Sequence, residues 1–142
     1  MAAFLFFIIM FLMAMALGLS SVLLAAIALV RRGSMLNKPR RVKSFIAQGR
    51  SVAVLKQITA YALTGTYHVE ALDETAGQLV LSDSASSTEG FFYPIFLTAQ
   101  GSNETLVEVG IRSKTFQGLI TTWRNHERCF NGVKAATFAD WT

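Results

Sequence analysis

The feature that most constrains this chain is the run from Ala2 to Val30, AAFLFFIIMFLMAMALGLSSVLLAAIALV, which holds no charged residue and is closed by Arg31 and Arg32. As a helix rising ~1.5 Å per residue it reaches roughly 43 Å, against a bilayer hydrocarbon core about 30 Å thick. Beyond Ser20 and Ser21 it has no polar face of the kind a surface helix of a globular protein shows. A cleaved secretory leader needs a positively charged start, a shorter apolar run and a small-residue cleavage site. Ala14-Met15-Ala16 meets only the last condition, so the run predicts an uncut transmembrane helix over residues 2–30.

The charge pattern orients that helix. Arg31, Arg32, Lys38, Arg40, Arg41, Lys43 and Arg50 follow the apolar run with no acid among them, and all 9 acids lie beyond residue 57. Positive residues stay on the cytoplasmic side, which predicts an integral membrane protein of a bacterial inner membrane or a thylakoid-like equivalent. Its N-terminus would face out and its folded domain would lie on the cytoplasmic or stromal side. Residues 31–50 then form a basic juxtamembrane linker, gaining about 1 kcal/mol per charge near anionic lipid headgroups. A nucleic-acid binder would carry its basic residues on the folded domain; here the acids gather there instead, which excludes that class of partner.

Within the apolar run, Ala14, Gly18, Ser21, Ala25 and Ala28 recur at steps of four and three residues. Small residues let helix backbones approach closely in a membrane. The stripe reads as a seam for a larger integral membrane protein or for a second copy. The run holds no ionisable residue, and so no proton relay, ion site or strong axial ligand.

Residues 51–142 predict one small α+β domain. Val52, Leu55, Ile58 and Ala62 share a helical face, and Gly65 stops that helix. The period then falls to two. Tyr67, Val69 and Ala71 alternate with polar residues up to Asp73, a turn over 74–77 comes next, and Gln78–Leu81 resumes as a strand. The stretch 82–90 is a polar loop. Phe91–Ala99 is a third strand whose Pro94 marks an edge or a bulge, and 104–114 alternates as a fourth. A last helix runs from about Thr121, its N-cap, to Ala136, with Trp123, His126, Phe130, Val133 and Thr137 on one stripe. The fold expected is therefore a single N-terminal transmembrane helix followed by helix, four-stranded antiparallel meander, helix.

Chemistry is sparse. Cys129 is the single cysteine, so no internal disulfide exists, and with His68 and His126 far apart it makes no zinc site. His126 and Cys129 stand three apart on one helix, side by side, a poor geometry for nucleophilic attack. The acid pairs Asp73/Glu74 and Glu104/Glu108 read as solvated surface. The glycines form no phosphate-binding loop. No catalytic, cofactor or metal residue is assigned.

One motif remains. From Arg112 to Arg128 the chain reads Arg-Ser-x4-Gly-x6-Asn-x2-Arg, directly after an alternating strand, and upstream it carries Tyr67, Val69 and Asp73 as Tyr-x-Val-x3-Asp. Over about residues 51–137 this resembles a widespread uncharacterised family of small bacterial and plastid domains. Arg112, Ser113, Gly118, Asn125 and Arg128 match its pattern; Thr121 and Trp123 stand where the family has Asp and Gly. The resemblance implies a fold rather than an activity. Physically, Gly118 supplies a backbone turn closed to other residues, and Arg112, Ser113, Asn125 and Arg128 form either a structural latch or an anion or ligand site, the arginines meeting Glu108, Glu127 or an anion. Two functions are expected. The first is a non-catalytic accessory, assembly or stabilising subunit of a larger membrane complex, for example an energy-transducing one. The alternative is a membrane-tethered module binding a small molecule, an anion or a lipid headgroup.

Overall fold

The computed structural model describes residues 37–83 and 89–138, together with Met13. The chain divides into two units, Met1–Ser34 and Met35–Thr142. The second unit is built of one sheet and two helices.

Alternation builds the sheet. Its strands are β1 (Val42–Gln48), β2 (His68–Asp73), β3 (Gln78–Ser82), β4 (Phe91–Ala99), β5 (Glu104–Gly110) and the short β6 (Arg112–Ser113). All pair antiparallel in the order β1-β5-β4-β3-β2, with β6 on β4. The helices are α1 (Ser51–Tyr61), which runs on through a π-helical turn over Ala62–Thr66, and α2 (Leu119–Phe138). Gly65 ends the π turn at φ 97°, a left-handed conformation that a Cβ disfavours, as its stop position predicts.

Both helices cover one face of the sheet. Phe45 and Ala47 of β1, Leu79 and Leu81 of β3, Tyr93 and Ile95 of β4 and Val107 and Val109 of β5 meet Val54, Leu55 and Ile58 of α1 and Cys129 and Val133 of α2. Each fully buried aliphatic side chain of this set contributes about 1.5–3 kcal/mol of transfer free energy. The buried stripe of α2 is His126, Cys129, Val133 and Thr137. Trp123 does not belong to it, because no residue from Leu119 to Asn125 is buried: the first turns of α2 run past the core.

Several expectations are corrected by this architecture. The four-stranded meander is a six-stranded sheet. The segment read as a basic linker contains β1, which pairs with all seven residues of β5 from Val42 opposite Gly110 to Gln48 opposite Glu104. Its alternation, Phe45 and Ala47 inward and Ser44, Ile46 and Gln48 outward, is overlaid by the basic residues around it. Pro94 marks neither an edge nor a bulge: it lies in β4, between β5 and β3, opposite Val80. Its cost appears on the other side. β5 and β6 hold the same register on β4, yet the ladder breaks between Ile95↔Val109 and Phe92↔Arg112. Proline has no N–H to donate at that step.

The membrane expectation is corrected as well. Among the described residues no helix is long and apolar enough to cross a membrane. The 11 residues of α1 span about 16 Å, and the 20 of α2 carry Arg124, Glu127, Arg128 and Lys134. The single-pass architecture, the integral-membrane location and the N-terminus-out orientation therefore find no support in the described fold. The proposed span 2–30, its seam Ala14, Gly18, Ser21, Ala25 and Ala28, and Arg31 and Arg32 lie outside the described residues. The described basic residues are partly engaged by the domain. Lys38 pairs with Glu108 at 2.6 Å; Lys43 pairs with Glu127 and stands 5.6 Å over the Phe130 ring. Arg40 and Arg41 are exposed.

Candidate functional site

The motif Arg-Ser-x4-Gly-x6-Asn-x2-Arg is divided by the fold. Its first half is architectural. Arg112, on β6, donates from Nη2 to the Asn37 carbonyl at 2.6 Å, which fastens the segment before β1 to the sheet. Ser113 donates to the Thr115 carbonyl. Gly118 has no left-handed backbone, and an added Cβ there would meet nothing within 4 Å, so the turn does not demand glycine. Its carbonyl accepts from both the amide and the hydroxyl of Thr122, each at 3.0 Å, because α2 begins at Leu119. Thr121 is therefore inside the helix and is not its cap. Neither arginine meets Glu108 or Glu127, which are taken by Lys38 and Lys43.

The second half faces a cleft of about 420 Å³. Asn125 and Arg128, one turn apart on α2, form one wall; Thr66 and Tyr67, at the end of the π turn, form another; Asp83, Glu89, Gly90 and Tyr93, flanking the β3–β4 connection, close it. Asn125 donates from Nδ2 to the Thr121 carbonyl at 2.9 Å, which orients the amide and leaves its oxygen and one N–H for another partner. Among the described residues the ion pairs within 4.0 Å are Lys38–Glu108 and Lys43–Glu127, so none of the described carboxylates is bound to the Arg128 guanidinium that lines the cleft.

The floor is rigid. Tyr93 is 1% exposed and donates its hydroxyl to Asp83 Oδ2 at 3.0 Å, while the Phe91 amide donates to Asp83 Oδ1 at 2.8 Å. Burial, then the Asp83 charge, raises the Tyr93 phenol far above its ordinary value, so it keeps its proton for this bond. Tyr67 packs edge-on against Tyr93, ring centroids 5.5 Å apart at 77°, and its hydroxyl meets the Cys129 thiol. Burial also raises Tyr67, with smaller contributions from Cys129 and Tyr61.

His126 and Cys129 belong to the core behind this floor. His126 Nε2 lies 2.8 Å from the Val109 carbonyl and donates to it, and burial lowers its pKa, as do Lys43 and Arg41 more weakly. Cys129 is fully buried, and burial pushes its thiol up to about 12. A thiol that holds its proton is a poor nucleophile. Among the described residues no group of three His, Cys, Asp or Glu side chains is placed to hold a metal ion.

A second hollow of about 460 Å³ lies between α1 and the end of α2, lined by Lys56, Gln57, Ala60, Tyr61, Thr64 and Ala136. It offers a single charge at its edge, whereas the first gathers a guanidinium, an amide and two carboxylates. Sequence reasoning found Asn125 and Arg128 but missed Tyr67, Asp83, Glu89 and Tyr93 as site residues. Only the pairing of β3 with β4, Ser82 opposite Phe92, brings Asp83 to Tyr93.

No protein-family model matches the sequence, and no curated protein gives a significant match. Solved structures do resemble it. An uncharacterized protein from Bacillus thuringiensis matches with a TM-score of 0.52 at 13% identity, over 72% of this chain and 98% of its own. The protein XoxI from Bacillus cereus matches with a TM-score of 0.50 at 14% identity, over 70% of this chain and 93% of its own. At such identities the likeness is one of fold: this arrangement of sheet and helices is shared with small bacterial proteins.

Proposed function

We propose that this domain is a non-catalytic binding module for a small polar or anionic molecule, held in the cleft between α2 and the residues Asp83, Glu89, Gly90 and Tyr93. One observation carries the reading: Arg128 and Asn125 present unspent donors to a hollow whose floor is fixed by Tyr93, Asp83 and Tyr67. Ligand sites combine a preformed concave surface with a few convergent polar groups, and typically enclose ~300–1,000 Å³. A pre-set floor also lowers the ordering cost of binding. The Asn-x-x-Arg half of the motif is then the ligand-facing pair, and the Arg-Ser half a latch. The kinship with the uncharacterised Arg-Ser-x4-Gly-x6-Asn-x2-Arg family belongs to the same proposal.

The test is calorimetric titration of the full chain with small carboxylates, phosphates and amino acids, with amide NMR shifts read at Gly90 and Asn125. Saturable binding that moves both signals and is lost in Arg128→Ala is expected. A panel in which no member saturates either signal refutes the reading.

A second reading, as a subunit of a protein assembly, is favoured by a different surface. Leu119, Ile120 and Trp123 lie on the first turns of α2 with Phe116 in the segment just before it, and the exposures of Phe116, Leu119, Ile120 and Trp123 are 100%, 71%, 75% and 62%. A partner covering this face would be lost on Ile120→Glu. A pull-down from native extract in which wild type and Ile120→Glu recover the same proteins would refute it.

A further inference from the structure

We infer that the ligand of this cleft is a small zwitterion, its anionic group on Arg128 and Asn125 and its ammonium on Glu89, with Asp83 behind. The inference rests on the binding reading above and narrows it to a chemical class. The charges facing the hollow are unlike on its two sides. Among the described residues, α2 contributes a guanidinium and an amide, and the facing side contributes two carboxylates and no cation. A simple anion would satisfy Arg128 while facing Asp83 and Glu89, and a simple cation would satisfy the carboxylates while facing Arg128. Either leaves like charges opposed across a confined space, where field strength is greater than in bulk water. A molecule with both charges meets both walls.

The two carboxylates differ in what they have left to give. Each Asp83 oxygen already accepts one bond, from the Phe91 amide at 2.8 Å and the Tyr93 hydroxyl at 3.0 Å. Asp83 is thus committed to holding the floor and contributes mainly its charge. Glu89 is exposed at the mouth and, among the described residues, enters neither ion pair, so no described cation occupies its carboxylate. Thr66 adds a hydroxyl at the rim. The hollow, at about 420 Å³, lies at the small end of ligand sites, which suits a molecule of amino-acid size.

The experiment titrates the full chain with glycine, β-alanine and γ-aminobutyrate, each beside the carboxylate lacking the amine: acetate, propionate and butyrate. At least one amino acid is expected to bind on the order of 10-fold or more tighter than its deaminated counterpart, as a charge-assisted hydrogen bond contributes. The member of the series with the greatest advantage reports the separation of the two walls. Arg128→Ala should weaken both ligands of that pair on the order of 10- to 100-fold. Glu89→Gln should abolish the advantage of the amine, weakening the amino acid while the carboxylate, relieved of one opposed like charge, binds as tightly or tighter. If carboxylates bind as tightly as amino acids and Glu89→Gln changes neither, the zwitterion is refuted while the binding cleft stands. If no probe saturates the Gly90 and Asn125 signals, the cleft itself is refuted.

Discussion

Gly132→Ala sets two well-understood effects against each other at the contact between the helices. In a helix interior alanine is favoured over glycine by about 1 kcal/mol. On α2, however, a Cβ at Gly132 would overlap Tyr61 Oη and sit 2.9 Å from its Cζ. Carbon needs roughly 3.5 Å to a non-bonded neighbour, so Cζ must retreat by ~0.6 Å and the overlapping hydroxyl by more than about 1 Å. Tyr61 is not free to do so without loss: it is half-buried, packs on the core and lies 6.1 Å from the Tyr67 ring. Overpacking of this kind costs about 1–3 kcal/mol. The balance is a net destabilisation of about 1 kcal/mol, read as a lower urea midpoint at unchanged m. In a Tyr61→Ala background the obstruction is absent, and the same substitution should stabilise by about 1 kcal/mol. The double-mutant cycle then yields a coupling of about 1–3 kcal/mol. A Gly132→Ala protein more stable than wild type, with no coupling to Tyr61, would refute the packing argument. Because Tyr61 adjoins Tyr67, the single variant should also weaken ligands of the cleft.

Three further outcomes are expected. The Cys129 thiol, pushed up to about 12 by burial, should stay unlabelled by an aromatic disulfide reagent at pH 8 until the protein unfolds; rapid stoichiometric labelling of native protein contradicts its placement. His126 is held neutral, with its folded pKa below the unfolded 6.5, so the unfolded chain takes the proton first. Its contribution is complete above pH 6.5 and declines as pH falls towards the folded pKa, by at most ~1.4 kcal/mol per pH unit. His126→Gln should flatten that slope in urea titrations between pH 7 and 5, and an unchanged slope would assign the effect to other groups. Asp83→Ala removes the acceptor of both the Phe91 amide and the buried Tyr93 hydroxyl and should cost about 2–4 kcal/mol in chemical denaturation. A loss under about 0.5 kcal/mol, typical of surface substitutions, would show that the floor is not fixed as described.

Local periodicity was enough to read α1 with its Gly65 stop, the β2–β3 hairpin, β4 and β5 and the existence of α2, though not its ends, which lie two residues further out on each side, because each is written in neighbouring residues. Asn125 and Arg128, a turn apart on one helix, were singled out by the resemblance to a family motif and not by periodicity. Three things required the tertiary structure. β1 is stabilised by β5, more than fifty residues away, and its inward pair Phe45 and Ala47 lies within a run whose basic charge is the louder local signal. Pro94 is tolerated in an inner strand because the chain interrupts the opposite ladder between β5 and β6, a compensation visible only across strands. The cleft is made of residues that neither period nor spacing relates: Tyr67 at a helix end, Asp83 and Tyr93 joined by strand register, Arg128 on the last helix. Hydropathy along residues 2–30 suggested a membrane span that no described helix provides, whereas the folded unit with its cleft is decided by contacts between distant elements.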